Sequence, residues 1–253
     1  MLAGSNGPGG IAFEDYALTQ LMGTIALSFI LFGGGLETRW STTRPVWWSG
    51  LSLVSLGVLV TAGIVGLAAH VLLGLPWITA LLLGAIVAPT DASAVFSVLR
   101  ERGPGLRGEV KPLLEFESGI NDPTAVVLVV GLTHLAAHPD ASALTLLSSF
   151  GQELALGGII GYAFGRISPA LLNRVSLPLE GLYLVLTVAL VSLIYGFTAA
   201  LHGSGFLAVY IAAVMLGNVE FVHKRSLRQF HDGISYLLEV AMFLILGLLV
   251  FPS

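Results

Sequence analysis

Eight runs of apolar residues, each bounded by a short polar connection, constrain this chain more than any other feature. They are Tyr16 to Leu36, Val46 to Leu73, Trp77 to Leu99, Leu113 to Ala136, Leu144 to Gly165, Leu179 to Leu201, Gly205 to Gly217 and Ile234 to Phe251. About 20 apolar residues in a helix cross about 30 Å of hydrocarbon, and only helices or closed barrels satisfy their backbone polar groups there. Soluble core helices are shorter and keep one polar face. The chain is 55% hydrophobic and 10% charged, against roughly 25% charged in an ordinary soluble domain. The predicted fold is therefore all-α: a polytopic membrane bundle of about eight transmembrane helices, forming one membrane domain over residues 1–253. The seventh run is the shortest and is expected to be broken, tilted or re-entrant.

Charge placement orders the runs across the bilayer. All 11 Lys and Arg fall in alternate connections: Arg39 and Arg44, then Arg100, Arg102, Arg107 and Lys111, then Arg166 and Arg174, then Lys224, Arg225 and Arg228. Cytoplasmic loops carry the excess of Lys and Arg, so these four connections are expected in the cytoplasm and both termini on the outer side of the cell membrane. The net charge of -4 contains no basic run that would suit nucleic acid, and no cofactor is expected. The absence of cysteine excludes disulfides and thiol catalysis,. No Lys or Arg precedes the first run, and the chain stops straight after an apolar one. On that pattern it is expected to be truncated at both ends.

Two polar interruptions carry the chemistry. In the third run, LLLGAIVAPTDASAVFSVL sets Pro89, Thr90 and Asp91 deep inside an apolar segment. Proline removes a backbone donor and clashes with the preceding turn, freeing carbonyls that lipid cannot satisfy. A helix interrupted near Pro89 to Asp91 exposes those oxygens beside a hydroxyl and a carboxylate, a set of hard ligands for a small monovalent cation. In the fourth run, FESGINDPTAVV places Ser118 and Asp122 four apart on one helical face, and Glu117 and Asn121 four apart on the adjacent one,. Pro123 weakens the helix where the acid sits. An ionised acid at this depth costs at least about 2.5 to 3.5 kcal/mol, so intramembrane acids face a cavity or a partner. Burial favours the neutral form of a carboxylate, which lets Asp122 hold either a proton or a metal cation. Exclusive binding of one or the other, with access from alternate sides, exchanges cations for protons. Glu117 finds no Lys or Arg inside any run, so its partner is unexplained.

Other features read as structure. Gly157, Gly161 and Gly165 recur every fourth residue, which allows close helix approach,. Gly33, Gly34 and Gly35 are expected to loosen the end of the first run. His134 and His138 share a helix face near the outer end of the fourth run. Trp40, Trp47, Trp48 and Trp77 sit at run ends, as an interfacial belt requires,. Tyr195 and Tyr210 could line a path, although nothing in the sequence singles them out.

The segments GAIVAPTDASAVFSVL and ESGINDPTAVV resemble the paired threonine-aspartate and asparagine-aspartate motifs of NhaP-type monovalent cation/proton antiporters, a group that includes a potassium/proton branch. The similarity continues through GSGFLAVYIAAVMLGN and MFLILGLLV. The resemblance implies a secondary active transporter, not an enzyme, exchanging Na+ or K+ for protons. Asp122 would carry the ion or the proton, Ser118 and Thr90 would supply ligands, and Asp91 would act electrostatically at the crossing of interrupted helices. Asn121 in place of a second acid implies electroneutral exchange. The family's fold is an inverted repeat divided into a dimerisation part and a mobile core. The chain is expected to hold a partial version of that fold and to come from a homodimer. In such proteins the acid at position 117 is held by an arginine of a later helix, which this chain does not supply. Two other readings stay open: an intramembrane aspartyl hydrolase using Asp91 and Asp122 as a dyad, and a non-transporting membrane fragment.

Overall fold

A computed structural model describes residue 13 and residues 15–90, 110–137 and 143–249. These residues fold into helices joined by short connections, with no strand among them. Helix α1 (Tyr16–Glu37) begins where the Asp15 carboxylate accepts a hydrogen bond from the Leu18 amide at 2.9 Å, which satisfies one of the free donors of the first turn. The second run is assembled from pieces: α2 (Trp40–Thr43), a 3-10 turn at Arg44–Val46, α3 (Trp47–Ser52), a π-helical turn at Leu53–Gly57, and α4 (Val58–Leu73). Gly74, with φ at 68°, ends α4 in the left-handed conformation and opens the turn to α5 (Trp77–Val87). Then come α6 (Val110–Ala137), α7 (Ala143–Arg174), α8 (Glu180–Ala200), α9 (Gly205–Gly217) and α10 (Lys224–Leu249).

Helices α1, α6, α7, α8 and α10 are long and apolar enough to cross a membrane, and α4, α5 and α9 are shorter apolar helices. Each corresponds to one of the expected runs. Two boundaries need correction. Helix α7 continues past Gly165 to Arg174, and α10 begins at Lys224, well before Ile234. Arg166, Arg174, Lys224, Arg225 and Arg228 therefore lie on helices and not in loops. An apolar run measures the hydrocarbon crossing, whereas a helix can extend beyond it into the headgroup region. The seventh element is a continuous helix, with ten of its thirteen residues buried. A helix apolar on all sides is one that neighbours surround, and α1, α7 and α8 pack around α9.

The glycine stripe of α7 makes that packing possible. A Cβ at Gly157 would lie 2.7 Å from the Ser204 carbonyl oxygen, one at Gly161 2.7 Å from that of Ala208, and one at Gly165 2.7 Å from Met215 Sδ. Gly33 and Gly35 serve the same purpose and do not loosen α1, which runs unbroken to Glu37. Gly35 lies against Ala213 and the Tyr210 carbonyl of α9, and Gly33 against Ser235 of α10.

Apolar packing gathers the helices into two groups. Phe29, Phe32, Leu36, Val191, Ile194 and Val209 belong to the larger core, which unites α1, α7, α8, α9 and α10. Val58, Ala62, Ala85, Ala88 and Ala125 form a smaller one, which unites α4, α5 and α6. Leu31, Phe206 and Tyr210, with Ile120 and Val126 of α6 against them, join the two. Within the larger core His231 is fully buried, its Nε2 3.0 Å from Thr187 Oγ1. Thr187 gives its own hydroxyl proton to the Leu184 carbonyl, so His231 Nε2 is the donor. The Lys- and Arg-bearing helix ends lie together: Asn218 Nδ2 donates to the Thr38 carbonyl at 2.8 Å, Val222 N to Asn173 Oδ1 at 2.9 Å, and Arg228 Nη2 to the Gly217 carbonyl at 2.8 Å.

Candidate functional site

Helix α5 stops at Val87, just ahead of Pro89, as the interruption in the third run requires. Past Ala88, which still has helical backbone angles, the chain continues outside the helix through Pro89 and Thr90, and Thr90 meets α6. Its hydroxyl donates to Glu117 Oε2 at 2.9 Å and accepts from Asn121 Nδ2 at 2.8 Å, while its carbonyl accepts from Ser118 Oγ at 2.7 Å. One residue beside the break is thus held by three on α6. Asn121 Nδ2 also donates to Glu117 Oε1 at 3.0 Å, the four-residue contact that helical spacing requires,.

Of the residues singled out by sequence, Thr90, Glu117, Ser118 and Asn121 converge. Asp122 follows Asn121 on α6 and is partly buried, Pro123 is buried, and Pro89 is partly buried. Asp91 and the remainder of the third run, to Leu99, lie outside the described residues, as does His138. Helix α6 stays continuous through Pro123, so the proline frees a carbonyl without breaking the helix,. Glu117, for which the sequence offers no Lys or Arg inside a run, accepts instead from two neutral donors, the Thr90 hydroxyl and the Asn121 amide.

The amide of Asn121 decides what the cluster can do. Asn121 is fully buried, its nitrogen is committed to Thr90 and Glu117, and its Oδ1 has no hydrogen-bond partner among the described residues. A buried acceptor left unmade costs about 1–3 kcal/mol. A dehydrated cation offers such an oxygen what it lacks, while the Thr90 hydroxyl and the Glu117 carboxylate hold the amide from its nitrogen side. A separate cavity of about 720 Å³ opens on another face of α6, lined by Phe116, Ile120, Thr124, Trp47, Tyr162 and Leu207 among others. Its walls are too apolar to replace a hydration shell.

The family model for the transmembrane region of sodium/hydrogen exchangers matches residues 1–253. The chain belongs to the sodium/hydrogen exchanger family. Among relatives in this family, the K(+)/H(+) antiporter NhaP of Alkalimonas amylolytica is 41% identical over 254 residues, covering 100% of this chain and 44% of that protein. The K(+)/H(+) antiporter NhaP2 of Shewanella sp. strain ANA-3 is 42% identical over 255 residues, with the same coverages. The chain thus spans about half the length of the relatives it matches. The solved sodium proton antiporter MjNhaP1 of Methanocaldococcus jannaschii superposes with a TM-score of 0.79 at 27% identity, over 94% of this chain and 59% of that one. An exchanger-family chain with five helices long and apolar enough to cross among its described residues is a multi-pass membrane protein. These relatives are named as transporters and give no support to the aspartyl hydrolase.

The sequence named Tyr210 without giving it a role and passed over Thr38 and Gly119, yet the Tyr210 ring fills the space beside Gly119 and its hydroxyl stands 3.4 Å from Thr38 Oγ1. Gly119 was the available signal, a glycine in the middle of a polar helical segment, where a missing side chain leaves room for close approach by a neighbour,.

Proposed function

We propose that residues 1–253 form a single membrane domain, part of an antiporter that exchanges a monovalent cation for protons, with Asp122 as the carboxylate that both compete for. The observation that carries the proposal is the buried Asn121 carbonyl, without a hydrogen-bond partner among the described residues, within the Thr90, Glu117 and Ser118 cluster and next to Asp122. A cation bound there takes Asn121 Oδ1, Ser118 Oγ and the Asp122 carboxylate as ligands, with Thr90 holding the loop in reach and Asp91 adding negative charge nearby. Protonation of Asp122 removes the negative ligand and releases the cation. Binding the cation releases the proton. One carboxylate that alternates between the two exchanges one charge for one, and the neutral Asn121 adds no second titrating acid, so the cycle is electroneutral.

Relatives named for K+ and, at 30% identity, one named for Na+ from Aphanothece halophytica support a monovalent cation, with K+ the first to test. The clustering of the Lys- and Arg-bearing helix ends supports their placement in the cytoplasm and both chain ends on the outer side,. Family membership supports a homodimer, with lipid covering the exposed apolar faces.

Reconstitution into proteoliposomes with a trapped pH dye tests the exchange. An outward K+ or Na+ gradient should acidify the lumen with the voltage clamped at zero, and Asp122→Asn should abolish the signal. A cation gradient that moves no protons, or an Asp122→Asn signal as large as the parent's, contradicts the reading.

A further inference from the structure

Gly119 lies one residue after Ser118 and three before Asp122. Pro123, four residues on, has no amide proton, so the Gly119 carbonyl loses its helical donor and α6 is locally compliant,. The space left by the absent side chain is filled by Tyr210 of α9, whose ring and hydroxyl a Cβ at 119 would overlap. Tyr210 is 2% exposed, and its hydroxyl stands 3.4 Å from Thr38 Oγ1 at the end of α1. Thr38 gives its own proton to the Gly34 carbonyl at 3.0 Å, which leaves Tyr210 as the donor. One aromatic ring therefore ties α6 to α9 and α1, at the point where the two apolar cores meet.

We infer that Tyr210 is a positioning residue for the cation site: its ring, seated on Gly119, sets the rotation of α6 and so the direction in which Ser118 and Asp122 face. At 3.6 residues per turn, positions three apart lie about 60° from each other around the axis, so pressure on Gly119 acts on the face beside Asp122. The geometry stands on its own, and only the transport consequence rests on the antiporter reading. A residue that merely fills the core would leave the orientation of Ser118 unchanged once the helix is folded.

The chain contains no cysteine, so Ser118→Cys supplies a sole thiol whose rate of modification by a water-soluble maleimide reports that orientation in reconstituted membranes. Contacting residues couple and distant ones add, so Tyr210→Ala and Gly119→Ala should each change the rate by about five-fold or more, with Tyr210→Phe within about two-fold of the parent. In the Tyr210→Ala background Gly119→Ala should add little, because the ring it displaces is gone. Helicity and thermal midpoint establish folding, and if Tyr210→Ala does not fold, Tyr210→Leu and Gly119→Ala carry the same criteria. A folded Tyr210→Ala or Tyr210→Leu that leaves the rate unchanged, or a Gly119→Ala effect that is as large without the ring, overturns the inference. In the cysteine-free chain, Tyr210→Ala should raise the half-saturating cation concentration about five-fold with a smaller change in maximal rate, and Tyr210→Phe should restore it. An unchanged half-saturation overturns it. A parent that transports nothing while the thiol pattern holds sinks the antiporter reading and leaves the positioning role supported.

Discussion

Thr90 engages α6 through both its side chain and its carbonyl, so it is the residue where a small change reveals most. Thr90→Val keeps the shape but removes the donor to Glu117 and the acceptor for Asn121. Glu117 and the buried Asn121 amide then keep only each other among the described residues, and a loss of about 0.5–1.5 kcal/mol in stability is expected, measured by thermal or denaturant unfolding in detergent. The half-saturating cation concentration should rise about tenfold, as 1.4 kcal/mol lost at the site corresponds to. Thr90→Ser should stay close to the parent in both. The cluster around Thr90 was readable in sequence because helical spacing fixes which residues of 117–122 share a face, and an acid and a proline inside an apolar run have few structural uses. The partner of Glu117 was not readable. Composition reveals cations, whereas a neutral hydroxyl arriving across a helix break becomes visible only when two segments meet. Tyr210 escaped for the same reason, since its role depends on a contact with Gly119 from another helix.

Among the elements, α7 and α9 show how spacing turns into packing. Gly161→Val places a side chain against the Ala208 carbonyl and Cα, where a Cβ already lies within 2.8 Å, and backbone cannot yield cheaply. Overpacking of this kind costs about 1–3 kcal/mol, so the thermal midpoint should fall by several degrees. Gly158→Val faces open space and should leave the midpoint unchanged apart from a small propensity effect. Equal effects from both substitutions would show that helix propensity, not the α7–α9 contact, governs this position. The sequence placed these helices well but not their ends. An apolar run shows how much chain lies in hydrocarbon, and the polar turns that extend α7 to Arg174 and start α10 at Lys224 leave no such trace.

For the whole molecule, α6 lies where the smaller core of α4, α5 and α6 meets the larger one, with the polar cluster on the smaller side and Tyr210 in the cluster that joins the two. This places the proposed cation ligands at a boundary between two packed groups, where relative movement changes access most. Sidedness can be checked directly, since the chain has no cysteine. Single cysteines at the exposed positions Arg39 and Val222 should react with an impermeant thiol reagent only from the cytoplasmic face, and those at Leu73 and Leu201 only from the outer face. Labelling of all four from one side would refute the alternating map. The central claim is that one carboxylate serves both ions, and it is tested most directly by counting protons as the cation binds. Titrating K+ or Na+ into the purified, weakly buffered chain should release about one proton per cation bound at saturation, as exclusive occupancy requires, and Asp122→Asn should release none. Cation binding without proton release, or the same release from Asp122→Asn, would contradict a shared site at Asp122.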